Sequence, residues 1–153
     1  MNLQLAIAET CSPDGCQVKL LSDGRSLSAT YLPRMKGRVF VHPDQLVALD
    51  MSSDVPMIVW RWHRMKVLAV QPGGARLDDR GVNQVNGVIA PGLALDLQPD
   101  QTVFVNGSQE GNCEIHGLLT GDAQSGNQLS QPEQFEHVIL PRIAAILDNM
   151  LAA

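Results

Sequence analysis

Aromatic residues make up only 4% of the 153 residues, and cysteine occurs three times. So low an aromatic content leaves little material for a base-stacking platform. An odd, small set of thiols does not build a disulfide framework, so a reducing cytoplasm is the expected location. Long apolar runs are missing too: none approaches the roughly 20 residues that a membrane-spanning helix needs. The opening stretch from Met1 to Glu9 has no basic n-region, and Gln4 and Glu9 interrupt its apolar residues, so no secretory leader is expected. Basic residues are outnumbered, 11 against 16 acidic, for a net charge of −5. That balance excludes a protein that coats duplex DNA by bulk electrostatics. With 44% hydrophobic and 18% charged residues, the composition is that of a globular chain forming one large domain or two very small ones.

The charge is unevenly distributed. Up to Val70 there are eight basic residues (Lys19, Arg25, Arg34, Lys36, Arg38, Arg61, Arg64, Lys66) and six acidic ones; beyond it three basic residues face ten acidic ones. A mildly basic first part ahead of an acidic second part permits a polyanion contact on one side and a partner-facing or solubilising surface on the other.

An internal repeat organises the chain. Val41-His42-Pro43-Asp44-Gln45-Leu46-Val47 is echoed by Leu97-Gln98-Pro99-Asp100-Gln101-Thr102-Val103. Val18 to Gly24 has a looser counterpart in Arg76 to Gly81, and Leu32-Pro33 answers to Ala90-Pro91. The landmarks keep their order, which predicts two related units.

Both units read as strands. Leu3, Leu5 and Ile7 alternate with Gln4, Ala6 and Ala8, the period of a half-buried strand. Ser12-Pro13-Asp14-Gly15 and Ser22-Asp23-Gly24 are turn sequences, since Pro presets φ and Gly accepts a positive φ. Strands are expected over 16–21, 26–32, 39–41, 46–49 and 57–62 in the first unit. The second is expected to use 66–70, 75–77, 82–89, 93–97, 102–105 and 113–119. Short strands with frequent turns indicate small barrels or a sandwich. Residues 121–131 are polar and read as a linker. A helix is then expected over 132–153, with Ser130 as N-cap and Glu133 at capping-box spacing. Phe135, Val138, Ile139, Ile143, Ile146, Leu147, Met150 and Leu151 form its apolar stripe, of which Phe135, Ile139, Ile143, Ile146, Leu147 and Met150 are the candidate partner interface, and Pro141 interrupts its backbone bonding. The stripe either packs over its own barrel or meets a partner.

The first unit, from about residue 5 to 61, resembles bacterial translation initiation factor 1 and the wider S1-like OB-fold domains. Five stretches carry the resemblance: Cys16 to Gly24, Leu27-Ser28-Ala29, Met35 to Val41, Pro43 to Leu49, and Ile58-Val59-Trp60-Arg61. It implies a five-stranded Greek-key barrel and a contact with single-stranded RNA or a ribonucleoprotein. Asp44 stands where that family has glycine, and Pro33 where it begins a helical turn.

The expected architecture is therefore mainly β: two tandem small β-barrels, the first OB-like (1–65), a shorter second unit (66–120), the linker, and one C-terminal amphipathic helix. Single strands are held by cationic grooves and stacking faces. The candidate nucleic-acid contacts are accordingly Arg34, Lys36 and Arg38 in one group and Arg61, His63, Arg64 and Lys66, beside Trp60 and Trp62, in another. Strand alternation places Trp60 and Trp62 on one face and Arg61 and His63 on the other. The alternative is a protein-interaction or assembly subunit, even a homo-oligomer, acting through the acidic second unit and the helix stripe. Four scattered histidines form no acid–base or nucleophile motif, so no enzymatic activity, cofactor or metal is expected. Cys113 and His116 stand three apart on a strand, hence on opposite faces and poor co-ligands. Cys11 and Cys16 bracket a hairpin turn and can lie opposite one another.

Overall fold

The computed structural model describes residues 2–33, 41–79, 81, 83–106, 112–120, 128–129 and 132–152. In chain order the strands are β1 (Leu3–Cys11), β2 (Gly15–Leu20), β3 (Ser26–Tyr31), β4 (Leu46–Asp50), β5 (Met57–Gln71), β6 (Gly74–Asp79), β7 (Asn83–Ile89), β8 (Thr102–Asn106), β9 (Asn112–Thr120) and β10 (Gln128–Leu129). They are followed by one helix, α1 (Pro132–Ala152). The chain is mainly β, as expected. It divides into two compact units, Met1–Trp62 with Arg142–Ala153, and His63–Pro141, so the division falls within β5 and within α1.

In the first unit β1 pairs antiparallel with β2 and β2 with β3. β3 then runs parallel to β5 through Thr30 and Tyr31, β5 pairs antiparallel with β4, and β4 returns to β1. The pairings thus lead back to their start, and the sheet partly closes in a ring. The second unit repeats this order with β5, β6, β7, β9 and β8, again with one parallel pair, β7 with β9.

The repeat extends to individual atoms. Asp44 and Asp100 both have φ of 71°, a left-handed conformation that few residues other than glycine adopt. The side-chain Oε1 of Gln45 accepts from the His42 amide at 3.0 Å, and that of Gln101 from the Gln98 amide at 2.7 Å. Both turns are thereby held by the same side chain. Asp44 N–H donates to Ala8 O at 2.7 Å, as Asp100 N–H does to Val67 O at 2.8 Å. Leu32 and Ala90 donate to Ile58 and Ile115 in the same way, at 3.1 and 3.0 Å. Gly24 and Gly81 take φ of 74° and 75° at matching turns.

Each unit has its own core. The first gathers Ala6, Ala8, Cys16, Val18, Leu20, Ala29, Tyr31, Val41, Val47, Leu49 and Ile58. The second gathers Met65, Val67, Ala75, Leu77, Val85, Leu97, Val103, Val105, Cys113, Ile115 and Leu118. No buried side-chain nitrogen or oxygen among the described residues lacks a hydrogen-bond partner.

Several expectations change. In β1 the core takes Ala6 and Ala8, while Leu5 and Ile7 are buried on the opposite side, so the strand is covered on both faces rather than half-buried. The strand expected over 93–97 does not form. Leu93 N–H closes a turn on Ala90 O at 3.1 Å, and Ala94 N–H donates to Gln134 Oε1 on α1 at 3.1 Å, which removes these amides from any ladder. The separate strands expected over 57–62 and 66–70 are one strand, because basic residues interrupt an apolar pattern without interrupting extended backbone. Within the expected linker, Leu129 is buried and pairs with Leu119 as part of β10. Val41 is not in a strand, and residues 39 and 40 lie outside the described residues, as does the expected N-cap Ser130.

Candidate functional site

The basic group Arg34, Lys36 and Arg38 lies outside the described residues. The second group is divided between the units: Arg61 belongs to the first, and His63, Arg64 and Lys66 to the second. Arg61 is half-buried opposite Val47 of β4, and its burial lowers its pKa from the ordinary guanidinium value. In the second unit Met65 and Val67 point into the core, so alternation turns Arg64 and Lys66 to the other side of β5. Lys66 Nζ stands 3.4 Å from Asp100 Oδ1 in an exposed ion pair on the Pro-Asp-Gln turn.

Trp60 and Trp62 differ in environment. Trp62 is fully buried, as are Phe104 and Phe135, and Tyr31 is core. Among the described aromatic residues, Trp60 alone is not buried. Its counterpart in the second unit is Gly117: Ala48 pairs with Trp60 as Phe104 pairs with Gly117, each beside a one-residue irregularity. A Cβ on Gly117 would come within 2.7 Å of Leu129 and 3.4 Å of the Phe135 ring. In the second unit that place on the sheet is filled by β10 and α1; in the first unit an indole occupies it.

The helix stripe is largely internal. Phe135, Ile139, Ile143 and Leu147 are buried, whereas Ile146 is 41% exposed. The Met150 side chain lies outside the described residues.

The mouth of the β1–β2 hairpin holds an arrangement that sequence spacing only hinted at. A cleft of about 300 Å3 is lined by residues that include Cys11, Asp14, Gly15, Cys16 and Gln17 of the hairpin and Thr30 of β3. Cys11 and Cys16 face each other in register, with their sulfurs 2.9 Å apart. The Tyr31 hydroxyl lies 3.5 Å from Cys16 Sγ and donates to Ser12 O at 3.2 Å, fastening the turn from below. Burial pushes the Cys11 thiol up to about 12, with the Cys16 sulfur adding in the same sense, and the Tyr31 phenol also up to about 12 for the same reasons.

In β9 the buried His116 imidazole meets Glu114 Oε1 at 2.8 Å, two residues away and hence on the same face. That i, i+2 spacing was the legible signal for this pair. Cys113 points instead into the core. Among the described residues no three His, Cys, Asp or Glu side chains converge as a metal site, and no helix is long and apolar enough to cross a membrane. Compared with known proteins, the sequence matches no family model and no curated protein.

Proposed function

We propose that the chain is a tandem pair of small OB-type barrels and acts as a non-catalytic binding module in the cytoplasm, whose first unit contacts single-stranded RNA or a ribonucleoprotein. The observation that carries this reading is the strand order β1-β2-β3-β5-β4-β1, five strands with one parallel closure. It is the order expected of a Greek-key barrel that commonly serves oligonucleotides. The positive φ at Asp44 supports it as well, because glycine adopts that conformation freely and is what the resembling family carries there.

The contacts would come from the basic segment Arg34, Lys36 and Arg38 between β3 and β4, with Trp60 of β5 on the same unit; Arg61 pairs with the core residue Val47 and so faces the other side of β5. Trp60 supplies a face on which a base can stack, and the cations neutralise phosphates. The assembly reading through α1 is less favoured, since Phe135, Ile139, Ile143 and Leu147 are already buried, against the exposed Ile146.

The test is fluorescence anisotropy of a short labelled single-stranded RNA with the full chain. Three phosphate contacts predict a roughly 20-fold loss of affinity between 50 and 200 mM salt, from a slope of about 0.7 per contact. Charge reversal at Arg34, Lys36 and Arg38 should remove most of that dependence, and Trp60→Ala should weaken binding by about 1–3 kcal/mol. Absent binding, or binding indifferent to salt and to these substitutions, refutes the reading.

A further inference from the structure

The two thiols of the β1–β2 hairpin are placed more specifically than packing requires. Ser12 N–H donates to Gly15 O at 2.8 Å, so Ser12 and Gly15 close the turn as a hydrogen-bonded pair. The next pair outward, Cys11 with Cys16, is then a non-hydrogen-bonded pair, the antiparallel position at which side chains approach closest. The Cα separation of such a pair, about 4.5 Å, falls within the range a disulfide spans. Tyr31 packs against Cys16 and anchors the turn, so the pair has little room to separate. At the matching positions of the second unit Val70 and Ala75 pair in the same register without sulfur. The sheet fold therefore does not need cysteine here.

We propose that Cys11 and Cys16 are an oxidisable dithiol that forms a cross-strand disulfide by exchange with a low-molecular-weight disulfide, and that this bond locks one wall of the hairpin cleft. Cys11 is the partly exposed partner and Cys16 the buried one, which sets the order of events. The Cys11 sulfur, having lost its proton, attacks one sulfur of the small disulfide and expels one thiolate, leaving a mixed disulfide on Cys11. Cys16, likewise deprotonated, attacks Cys11 Sγ and expels the second thiolate. The two protons end on the two released small thiols; the protein dithiol is oxidised by two electrons and the small disulfide is reduced. The cleft gives the incoming disulfide access to Cys11, and register places Cys16 to resolve the intermediate.

The experiment equilibrates the full chain with reduced and oxidised glutathione, quenches with acid, alkylates under denaturing conditions and measures intact mass. Before oxidation all three cysteines should take the alkylating group. After it only Cys113 should, with no glutathione mass retained and a Cys11–Cys16 crosslink in the peptide map. The ratio of disulfide to dithiol should exceed that of the urea-unfolded chain by roughly tenfold or more at the same glutathione ratio, because folding presets the pair. Cys11→Ser should abolish the crosslinked species, and Cys113→Ser should leave it unchanged. Retention of three alkylated thiols, a persistent glutathione adduct, or a native ratio no higher than the unfolded one overturns the proposal.

Discussion

Gly15→Ala tests the close approach of β2 to β3 on which the hairpin mouth depends. A Cβ on Gly15 would lie 2.2 Å from Ala29 O and 3.1 Å from both Ala29 C and Thr30 Cα. Ordinary contact begins near 3.4 Å, so the strands must part by about 1 Å, and the obstacle is backbone rather than a side chain that can rotate. A separation of that size breaks about two ladder hydrogen bonds at roughly 1 kcal/mol each, and residual strain adds a further 1–3 kcal/mol. The alanine recovers some 0.4–1 kcal/mol by restricting the unfolded chain. The net cost is about 3 kcal/mol.

Gly24→Ala in the same unit is the control. Gly24 has φ of 74°, and the nearest atom to its added Cβ is Lys19 Cε at 3.7 Å, so its cost is left-handed strain alone, about 1 kcal/mol. Urea unfolding followed by tryptophan fluorescence reads both, since Trp62 is fully buried in that unit. At an unchanged slope of roughly 1.5 kcal/mol/M, the midpoints should fall by about 2 M for Gly15→Ala and about 0.7 M for Gly24→Ala. A Gly15→Ala shift no larger than the control would show that the strands do not approach as described. Gly74, whose Cβ would lie 1.9 Å from Gly87 O, should respond like Gly15.

Alkali should destabilise the protein through Cys113, whose thiol burial raises from 9.0 to about 11. Below pH 9 both states hold the proton and stability is complete; from pH 9 to 11 only the unfolded chain releases it, so about 1–2 kcal/mol is lost. Urea midpoints at pH 8.5 and 10.5 should therefore converge in Cys113→Ala relative to the parent, and parallel pH profiles would refute this. Ile139→Ala, at a fully buried position, should cost about 2–4 kcal/mol, against well under 1 kcal/mol for the exposed Ile146→Ala. Equal small effects in thermal unfolding would mean that α1 does not pack on its own chain.

The turns were readable in advance because their chemistry is local. Gly24 and Gly81 occupy positive φ, and the Pro-Asp-Gln copies make the same bonds in both units. Ser12-Pro13-Asp14-Gly15 and Gln71-Pro72-Gly73-Gly74 are likewise matching hairpin turns, each ending on a glycine that admits a neighbouring carbonyl. The candidate site was less legible. Spacing brought Cys11 and Cys16 across a turn, but Tyr31, fifteen residues beyond Cys16, joins them only through strand pairing.

Sequence alone determined the repeat, the turns that bound it, the predominance of strand and the C-terminal helix, since each follows from local periodicity and backbone preference. Only the tertiary structure decided which face of each strand is core. In β1 both faces are: Ala6 and Ala8 join the first unit's core cluster, while Leu5 and Ile7 are buried on the opposite side. It alone decided that Trp62 is enclosed while Trp60 is not, although the two share a strand. The parallel closures of β3 with β5 and β7 with β9 likewise join segments distant in the chain. Such pairings depend on which surfaces meet, and no local pattern carries that information.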